Sequence, residues 1–262
     1  MCAMVILAAG GMAPSAEVRT LGIMEASGLA NRCARCGIRK QAVCGALSDK
    51  ELEALNAVAR RRLVKAGDVI LNAEDDASSF ANIVSGVVKL SKLLSDGRQQ
   101  IVGLQFSPDF LGRAHRKRNP FFAEAATDVE LCVFPRSNFE RLLSEQPELE
   151  TRLFKETLDE LDAARDWMLL LGRKTAAEKV ATFIAMIARR QTPDGCSALG
   201  ELGATAFTLP LTRAEIADYL GLTIETVSRQ IGKLKADGLI DIGPNRSIAV
   251  LDSKRLNDIA RS

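Results

Sequence analysis

Hydrophobic and polar positions follow two different periods along this chain, and the changes of period mark its parts. The first 32 residues carry no period: Met1 to Ala13 is short and apolar without a basic start, and Ala, Gly and Ser dominate to Ala30, which predicts a mobile leader rather than a signal peptide. Leu47 to Val58 has helical spacing, with Ser48 and Glu51 three residues apart as a capping box. From Leu63 to about Phe139 the period drops to that of short strands: Arg62 to Leu71 reads as strand, turn, strand around Gly67, Phe80 to Leu94 as apolar runs broken at Gly86, and Ile101 to Phe106 and Val129 to Phe134 as further strands. Asp96-Gly97 is a hairpin turn. Asn138 to Leu171 returns to helical spacing, and Pro147 divides a short helix from a long one beginning near Glu148. Ala176 to Arg190 predicts another amphipathic helix, and the Gly-rich, polar stretch Thr192 to Ala206 a loop or hairpin.

The densest pattern lies between Thr212 and Gly238. Thr212 and Glu215 form a second capping box, Ile216, Tyr219 and Leu220 recur at helical spacing, and Gly221 breaks the run. A second helix starts at Thr223. Ile224, Val227, Ile231 and Leu234 fall on one face of it, and Glu225, Ser228, Arg229 and Gly232 on the other, because steps of three and four residues return to the same side. Such a polar face suits the DNA major groove: Arg forks onto guanine O6 and N7, Glu accepts from the cytosine amino group, and Ser lets the helix approach and touch a thymine. Helix, Gly turn and reading helix are a helix-turn-helix. The apolar runs Leu239 to Ile242 and Ser247 to Leu251, separated by Gly243-Pro244-Asn245-Arg246, predict a hairpin behind it, making a winged helix.

The residues from Leu211 to Arg229, LTRAEIADYLGLTIETVSR, resemble the DNA-binding domain of the CRP/FNR family of bacterial transcription regulators, and Glu225, Ser228 and Arg229 resemble its FNR-type branch, since the cyclic-AMP branch carries Gly where this chain has Ser228. The strand-rich region resembles the β-roll of cyclic-nucleotide-binding domains that the family shares. The fold expected is therefore α+β: a leader over 1–32, a cysteine loop and β-roll over 33–139, a dimerisation helix over 140–172 and a winged helix-turn-helix over 173–262. In the long helix Phe154, Leu158, Leu161, Met168 and Leu171 follow steps of three and four with Arg165 as the polar interruption, a heptad-like seam that in this family pairs two subunits. A two-fold dimer would place two reading helices one DNA turn apart on a palindrome. The resemblance implies a target like TTGAT, four bases, ATCAA, with Arg229 on the guanine, Glu225 on its cytosine and Ser228 on a neighbouring thymine, while Thr212, Arg213, Thr223, Thr226 and Lys233 would touch the DNA backbone.

Net charge is only +2, so attraction to DNA has to be local, and Arg229, Lys233, Lys235 and Arg246 supply it. No apolar run reaches membrane-spanning length, and the six cysteines are too sparse for a disulfide-stapled fold, so a cytoplasmic protein without a membrane partner is expected. Cys33, Cys36 and Cys44 are spaced C-x2-C-x7-C among Arg32, Arg35, Arg39 and Lys40, cations that favour the thiolates metals need. Cys132, in the apolar run Val129 to Phe134, is the best fourth ligand, because Cys2 and Cys196 stand in flexible-looking stretches. Four thiolates suit an iron–sulfur cubane or structural zinc alike. The resemblance selects a [4Fe-4S] cluster on Cys33, Cys36, Cys44 and Cys132, since the spacing matches that of alphaproteobacterial members of the FNR-type branch.

A cyclic nucleotide is not expected. The family's phosphate cradle is an Arg-Ser pair, and Phe121-Phe122-Ala123 stands in its place. Arg113 and Arg116 to Arg118 read as a solvated loop, and His115, the sole histidine, lacks a partner that would make it catalytic. No constellation of an enzyme is present. The expectation is an oxygen-responsive homodimeric regulator working with RNA polymerase. The alternatives are a cluster-free regulator of the FixK kind in the same family, with no cofactor, and a zinc-stabilised DNA-binding module.

Overall fold

The computed structural model describes residue 33, residues 35–191 and residues 205–261. The expected leader, Cys2, Cys196 and most of the stretch 192–206 lie outside the described residues. A 3-10 turn at Val43–Ala46 leads to helix α1 (Asp49–Val58), whose Ser48–Glu51 capping box is formed as the sequence predicts. Eight strands follow: β1 (Arg60–Val64), β2 (Val69–Leu71), β3 (Ser79–Ser85), β4 (Val87–Leu93), β5 (Gln99–Phe106), β6 (Phe110–Leu111), β7 (Phe122–Ala125) and β8 (Val129–Pro135). Then come α2 (Arg136–Glu145), the 27-residue α3 (Pro147–Arg173), α4 (Ala176–Gln191), β9 (Thr205–Thr208), α5 (Arg213–Leu220), α6 (Ile224–Ala236), β10 (Ile240–Ile242), β11 (Ser247–Val250) and α7 (Ser253–Arg261).

The eight strands form two four-stranded antiparallel sheets, ordered β1-β8-β3-β6 and β2-β7-β4-β5. Strands β1 and β2, adjacent in sequence, belong to different sheets. The turn at Gly67, with φ +91°, therefore carries the chain across the roll instead of closing a hairpin. Side chains alternate across each strand. Ala81, Ile83, Val88, Leu90, Val129 and Leu131 point into the space between the sheets and fill it. The outer face of β3 and β8 is buried too: Phe80 and Phe134 pack with Phe139 of α2, ring centroids 5.4 Å and 5.0 Å away, in the core that also holds Ala42, Val43, Leu52, Leu55 and Leu149.

The C-terminal part is a winged helix with two additions that were not among the expected elements. Strand β9 pairs with β11 as the third strand of the wing sheet, and α7 packs on α4. β9 has only four residues, too few for a strand period to stand out, whereas α7 does turn Leu256, Ile259 and Ala260 to one face at helical spacing. Long helix α3 joins the two halves. Leu149 near its start is buried against the cysteine loop, whereas Leu170 near its end enters the C-terminal core. Among the described residues no helix is long and apolar enough to cross a membrane.

The halves also meet directly. Val87, Ile101 and Phe106 of the outer face of β4 and β5 belong to the same core as Ile216, Tyr219 and Leu220 of α5. Beside that apolar contact Lys89 of β4, 7% exposed, stands 2.7 Å from Glu124 Oε1 and also bonds Glu215 of α5. Burial disfavours the Lys89 ammonium, but the two carboxylates outweigh it and raise its pKa. Burial likewise works against Glu215 ionising, and the bonds from Lys89 and Thr212 more than offset this and lower its pKa.

Linkage sets the pH range. A depressed carboxyl contributes stability that is present above its unfolded value of 4.5 and lost as pH falls through the folded one; a raised lysine contributes below 10.5 and loses it at higher pH. Lys89→Met is expected to lower unfolding stability at pH 7 by about 2 kcal/mol, less than a fully buried pair would lose because both carboxylates keep partial solvent contact. Urea unfolding should show this. Below pH 4 the difference from the wild type should shrink; a constant difference across that range would mean that Lys89 acts through packing alone.

Candidate nucleic-acid interface and cysteine centre

Helices α5 and α6 form the helix-turn-helix. Thr212 Oγ1 accepts from the Glu215 amide at 3.3 Å, and the Glu215 carboxylate accepts from the Thr212 amide at 2.8 Å, so the expected capping box is complete. Gly221 ends α5 at φ +61°, a left-handed conformation in which a side chain is strained. Thr223 caps α6 by accepting from the Thr226 amide at 3.2 Å, and Thr223 Oγ1 donates to Thr226 Oγ1 at 3.1 Å. Both threonines serve the start of the reading helix, whatever else they touch.

Val227, Ile231 and Leu234 are buried beneath α6, and Glu225, Ser228, Arg229, Gly232 and Lys233 are exposed on its other side. Ile224 departs from the expected buried face: it is 47% exposed, because as the first residue of α6 it lies beyond the edge of the packed core. The Glu225 carboxyl is held below the usual range by its own backbone amide and by Thr223. Arg213 is half-buried, and burial lowers its pKa. Lys235 makes an ion pair with Asp241 of β10 at 3.1 Å, which fastens the end of the reading helix to the wing. At the wing tip, Asn245 and Arg246 turn at φ +52° and +63°, leaving the Arg246 side chain exposed.

The four cysteines singled out in the sequence come together although Cys132 is 88 positions from Cys44. Cys33, Cys36, Cys44 and Cys132 line one cavity, with Asn56, Arg61 and Asn82 among its other walls. The cysteine loop lies on the outer face of sheet β1-β8-β3-β6, and alternation along β8 turns Cys132 to that face. All four thiols are free of disulfides. Cys33 donates to Asn56 Oδ1 at 3.3 Å, Arg61 Nη2 lies 3.7 Å from Cys36 Sγ, and Asn82 Nδ2 lies 3.8 Å from Cys44 Sγ. Among the described residues no three His, Cys, Asp or Glu side chains are gathered closely enough to hold a single metal ion.

Of the cations expected to favour thiolates, Arg32 lies outside the described residues, and the others are arranged differently. Arg39 lines the cavity but pairs with Asp49 at 2.6 Å, and Arg35 and Lys40 are exposed. A guanidinium that does reach a sulfur is that of Arg61 on β1, 25 positions from Cys36. Burial pushes the Cys44 thiol up to about 12, aided by Cys36, Cys132 and Cys33, and only its own backbone amide works the other way.

On α3, Phe154, Leu158, Leu161 and Met168 form an exposed apolar stripe, with Phe154 61% and Met168 68% exposed. Leu171 turns instead toward the C-terminal core beside Gly221, and Leu169, 57% exposed, extends the open stripe. Helical spacing alone does not separate these two, because the helix meets the second domain only at its last turns. His115 is exposed with φ +62°, and its backbone amide donates to Glu140.

Residues 61–146 match the cyclic nucleotide-binding domain family and residues 178–259 the Crp-like helix-turn-helix domain family. The chain is 51% identical over 224 residues to a probable transcriptional activator of Rhizobium leguminosarum bv. viciae, covering 86% of this chain and 91% of that one. It is 45% identical to the transcriptional activator protein FnrL of Cereibacter sphaeroides, over 88% of this chain and 93% of that one. Among solved structures, FixK2 from Bradyrhizobium japonicum superposes with a TM-score of 0.69 at 34% identity, over 77% of this chain and 97% of that one. A β-roll, a long connecting helix and a winged helix-turn-helix with its reading face open, matched over nearly the whole length of such relatives, make this chain a member of the CRP/FNR family of DNA-binding transcription regulators.

Proposed function

We propose that this protein is an oxygen-responsive transcription activator that holds a [4Fe-4S] cluster on Cys33, Cys36, Cys44 and Cys132 and binds a palindromic DNA site as a homodimer, with RNA polymerase as its working partner. The observation that carries the proposal is the gathering of these four sulfurs around one cavity at the base of the long helix. Four thiolates around a cavity, rather than three or four donors closed on a point, suit a cubane in which each thiolate binds a different iron better than they suit a single zinc ion. The cluster-free FixK kind of regulator remains the competing member of the family; four converging cysteines favour the cluster. The place of the family's phosphate cradle is taken by Phe121, Phe122 and Ala123, and Ala123 is fully buried in β7, so cyclic nucleotide is not proposed as a ligand.

When bound, the cluster would supply an oxygen-labile crosslink between the cysteine loop and β8. The chain's own residues carry the consequence to α3. Ala42 and Val43 of the loop are buried with Leu149 of α3, and Arg152 of α3 donates to the Gln41 carbonyl. A loop held by its cysteines therefore holds the first turns of α3, and α3 presents Phe154, Leu158, Leu161 and Met168 to a second subunit. Release of the loop loosens that support and with it the pairing that sets two α6 helices one DNA turn apart. At each half-site Arg229 reads guanine, Glu225 its cytosine and Ser228 a thymine, with Thr212, Arg213, Thr223, Thr226 and Lys233 near the phosphates.

Protein purified without oxygen should contain about four irons and four acid-labile sulfides per chain, and exposure to air should abolish its DNA binding. Cys132→Ala should lack both iron and the anaerobic promoter response. Iron-free wild-type protein with air-stable binding would place the chain with the cluster-free regulators.

Arg229→Ala should cost about 1–3 kcal/mol of binding at the cognate site and relax the preference at one G·C pair. Titrations against single-base variants of the site test this. An equal loss on every sequence would make Arg229 a phosphate contact.

A further inference from the structure

Asn82 is an anomaly in its strand. It sits in β3 between Ala81 and Ile83, is 2% exposed, and points with Phe80 to the outer face of the sheet. In the β3–β8 register it lies directly opposite Cys132, and its Nδ2 is 3.8 Å from Cys44 Sγ, so one amide adjoins two of the four cysteines. That contact to sulfur is the hydrogen bond its side chain makes among the described residues, and its Oδ1 is buried without a partner. Leaving a buried polar atom unpaired costs about 1–3 kcal/mol, and an aliphatic side chain would fill the same position without that penalty. Folding alone does not account for an amide here.

The cavity supplies a reason. A thiolate sulfur bound to iron carries negative charge and accepts hydrogen bonds, and an N–H donor aimed at it draws electron density from the ligand. Inside a protein the effect is stronger than in water because the local dielectric is low. Hydrogen bonds to ligand sulfurs are among the features that set the potential of iron–sulfur centres, and groups around the ligands affect metal retention as well. Arg61 also donates to a sulfur, but it is partly exposed and divided between Cys36 and Glu130, which it meets at 2.8 Å. Asn82 is enclosed and bonds sulfur alone.

We infer that Asn82 is a positioning residue of the cysteine centre, whose N–H···S bond orients Cys44 and makes the bound cluster harder to oxidise. This rests on the proposal that the four cysteines hold a cluster. Asn82→Leu replaces the amide with an apolar group of similar size, and Asn82→Gln retains an amide.

The test uses full-length protein purified without oxygen. Iron and sulfide content, the midpoint potential by reductive titration and the rate of bleaching in air are measured, together with the thermal unfolding midpoint of the iron-free protein. Asn82→Leu is expected to have a lower midpoint potential and to bleach or lose iron to a chelator about ten-fold faster, or more. Its iron-free form should unfold at the wild-type temperature or higher, since an unpaired buried atom has been removed. Asn82→Gln should recover most of the wild-type potential and bleaching rate.

Asn82→Leu protein with wild-type iron content, potential and bleaching overturns the inference and leaves the cluster proposal intact. A fall in the iron-free unfolding temperature that accounts for poor loading, or a Gln variant that behaves like the Leu variant, also overturns it, by making Asn82 a packing residue. Wild-type protein without iron overturns the cluster proposal itself, and the inference with it.

Discussion

The structure depends on one sheet being buried on both faces. In β3 and β8 every second side chain faces the interior of the roll and the others face the cysteine loop and α2, and apart from Ser85 and Pro135 at the strand ends both sets are buried or half-buried. Antiparallel sheets commonly leave one face solvated. Here the second face is covered because Phe134 stacks on Phe139 and Phe80 meets it edge-on, and because Ala42, Val43, Leu52 and Leu55 close over them. The cysteine chamber lies in this second core. A shift of β8 by one residue would turn Cys132 into the roll and leave three cysteines facing a strand without a thiol.

The same arrangement places the chamber beside the long helix. The loop that bears Cys33, Cys36 and Cys44 also contains Ala42 and Val43, buried with Leu149, so the cysteines and the first turns of α3 share a core. At its other end α3 gives Leu170, Trp167 and Leu171 to the core of the winged helix, with Trp167 packed 5.8 Å from Tyr219 of α5. Between these anchors lie the exposed Phe154, Leu158, Leu161 and Met168. A second route joins the halves through Lys89, Glu124 and Glu215. There the carboxylate that caps α5 also bonds the β-roll, and the local start of a helix becomes part of a contact between domains.

Electrostatic expectations drawn from neighbours in the sequence fared differently from those drawn from spacing. Arg39 is five positions from Cys44 and forms an ion pair with Asp49, while Arg61, distant in sequence, reaches Cys36. Proximity along the chain says little about which way a long side chain points once both sides of a loop are packed. Desolvation of Cys44 is equally absent from a list of nearby residues, since it arises from α1, β3 and β8 closing around it.

The sequence by itself determined what depends on local geometry. Two capping boxes, the Gly97 hairpin, the Gly221 turn and the exposed triplet Glu225, Ser228 and Arg229 follow from spacings of two to four residues, and these are distances that backbone geometry converts directly into position. The three-cysteine group and the division of the helical region at Pro147 were legible for the same reason. Strand β9 was too short to show a period, whereas helix α7 carries one in Leu256, Ile259 and Ala260. Tertiary structure alone decided the pairing of β1 with β8 instead of β2, the inward turn of Leu171 beside an exposed Leu169, the reach of Arg61 to Cys36, and the enclosure of Asn82 against Cys44. Each is a contact between segments distant in the chain. Such contacts are selected by the packing of whole sheets and helices, which no short window of sequence contains.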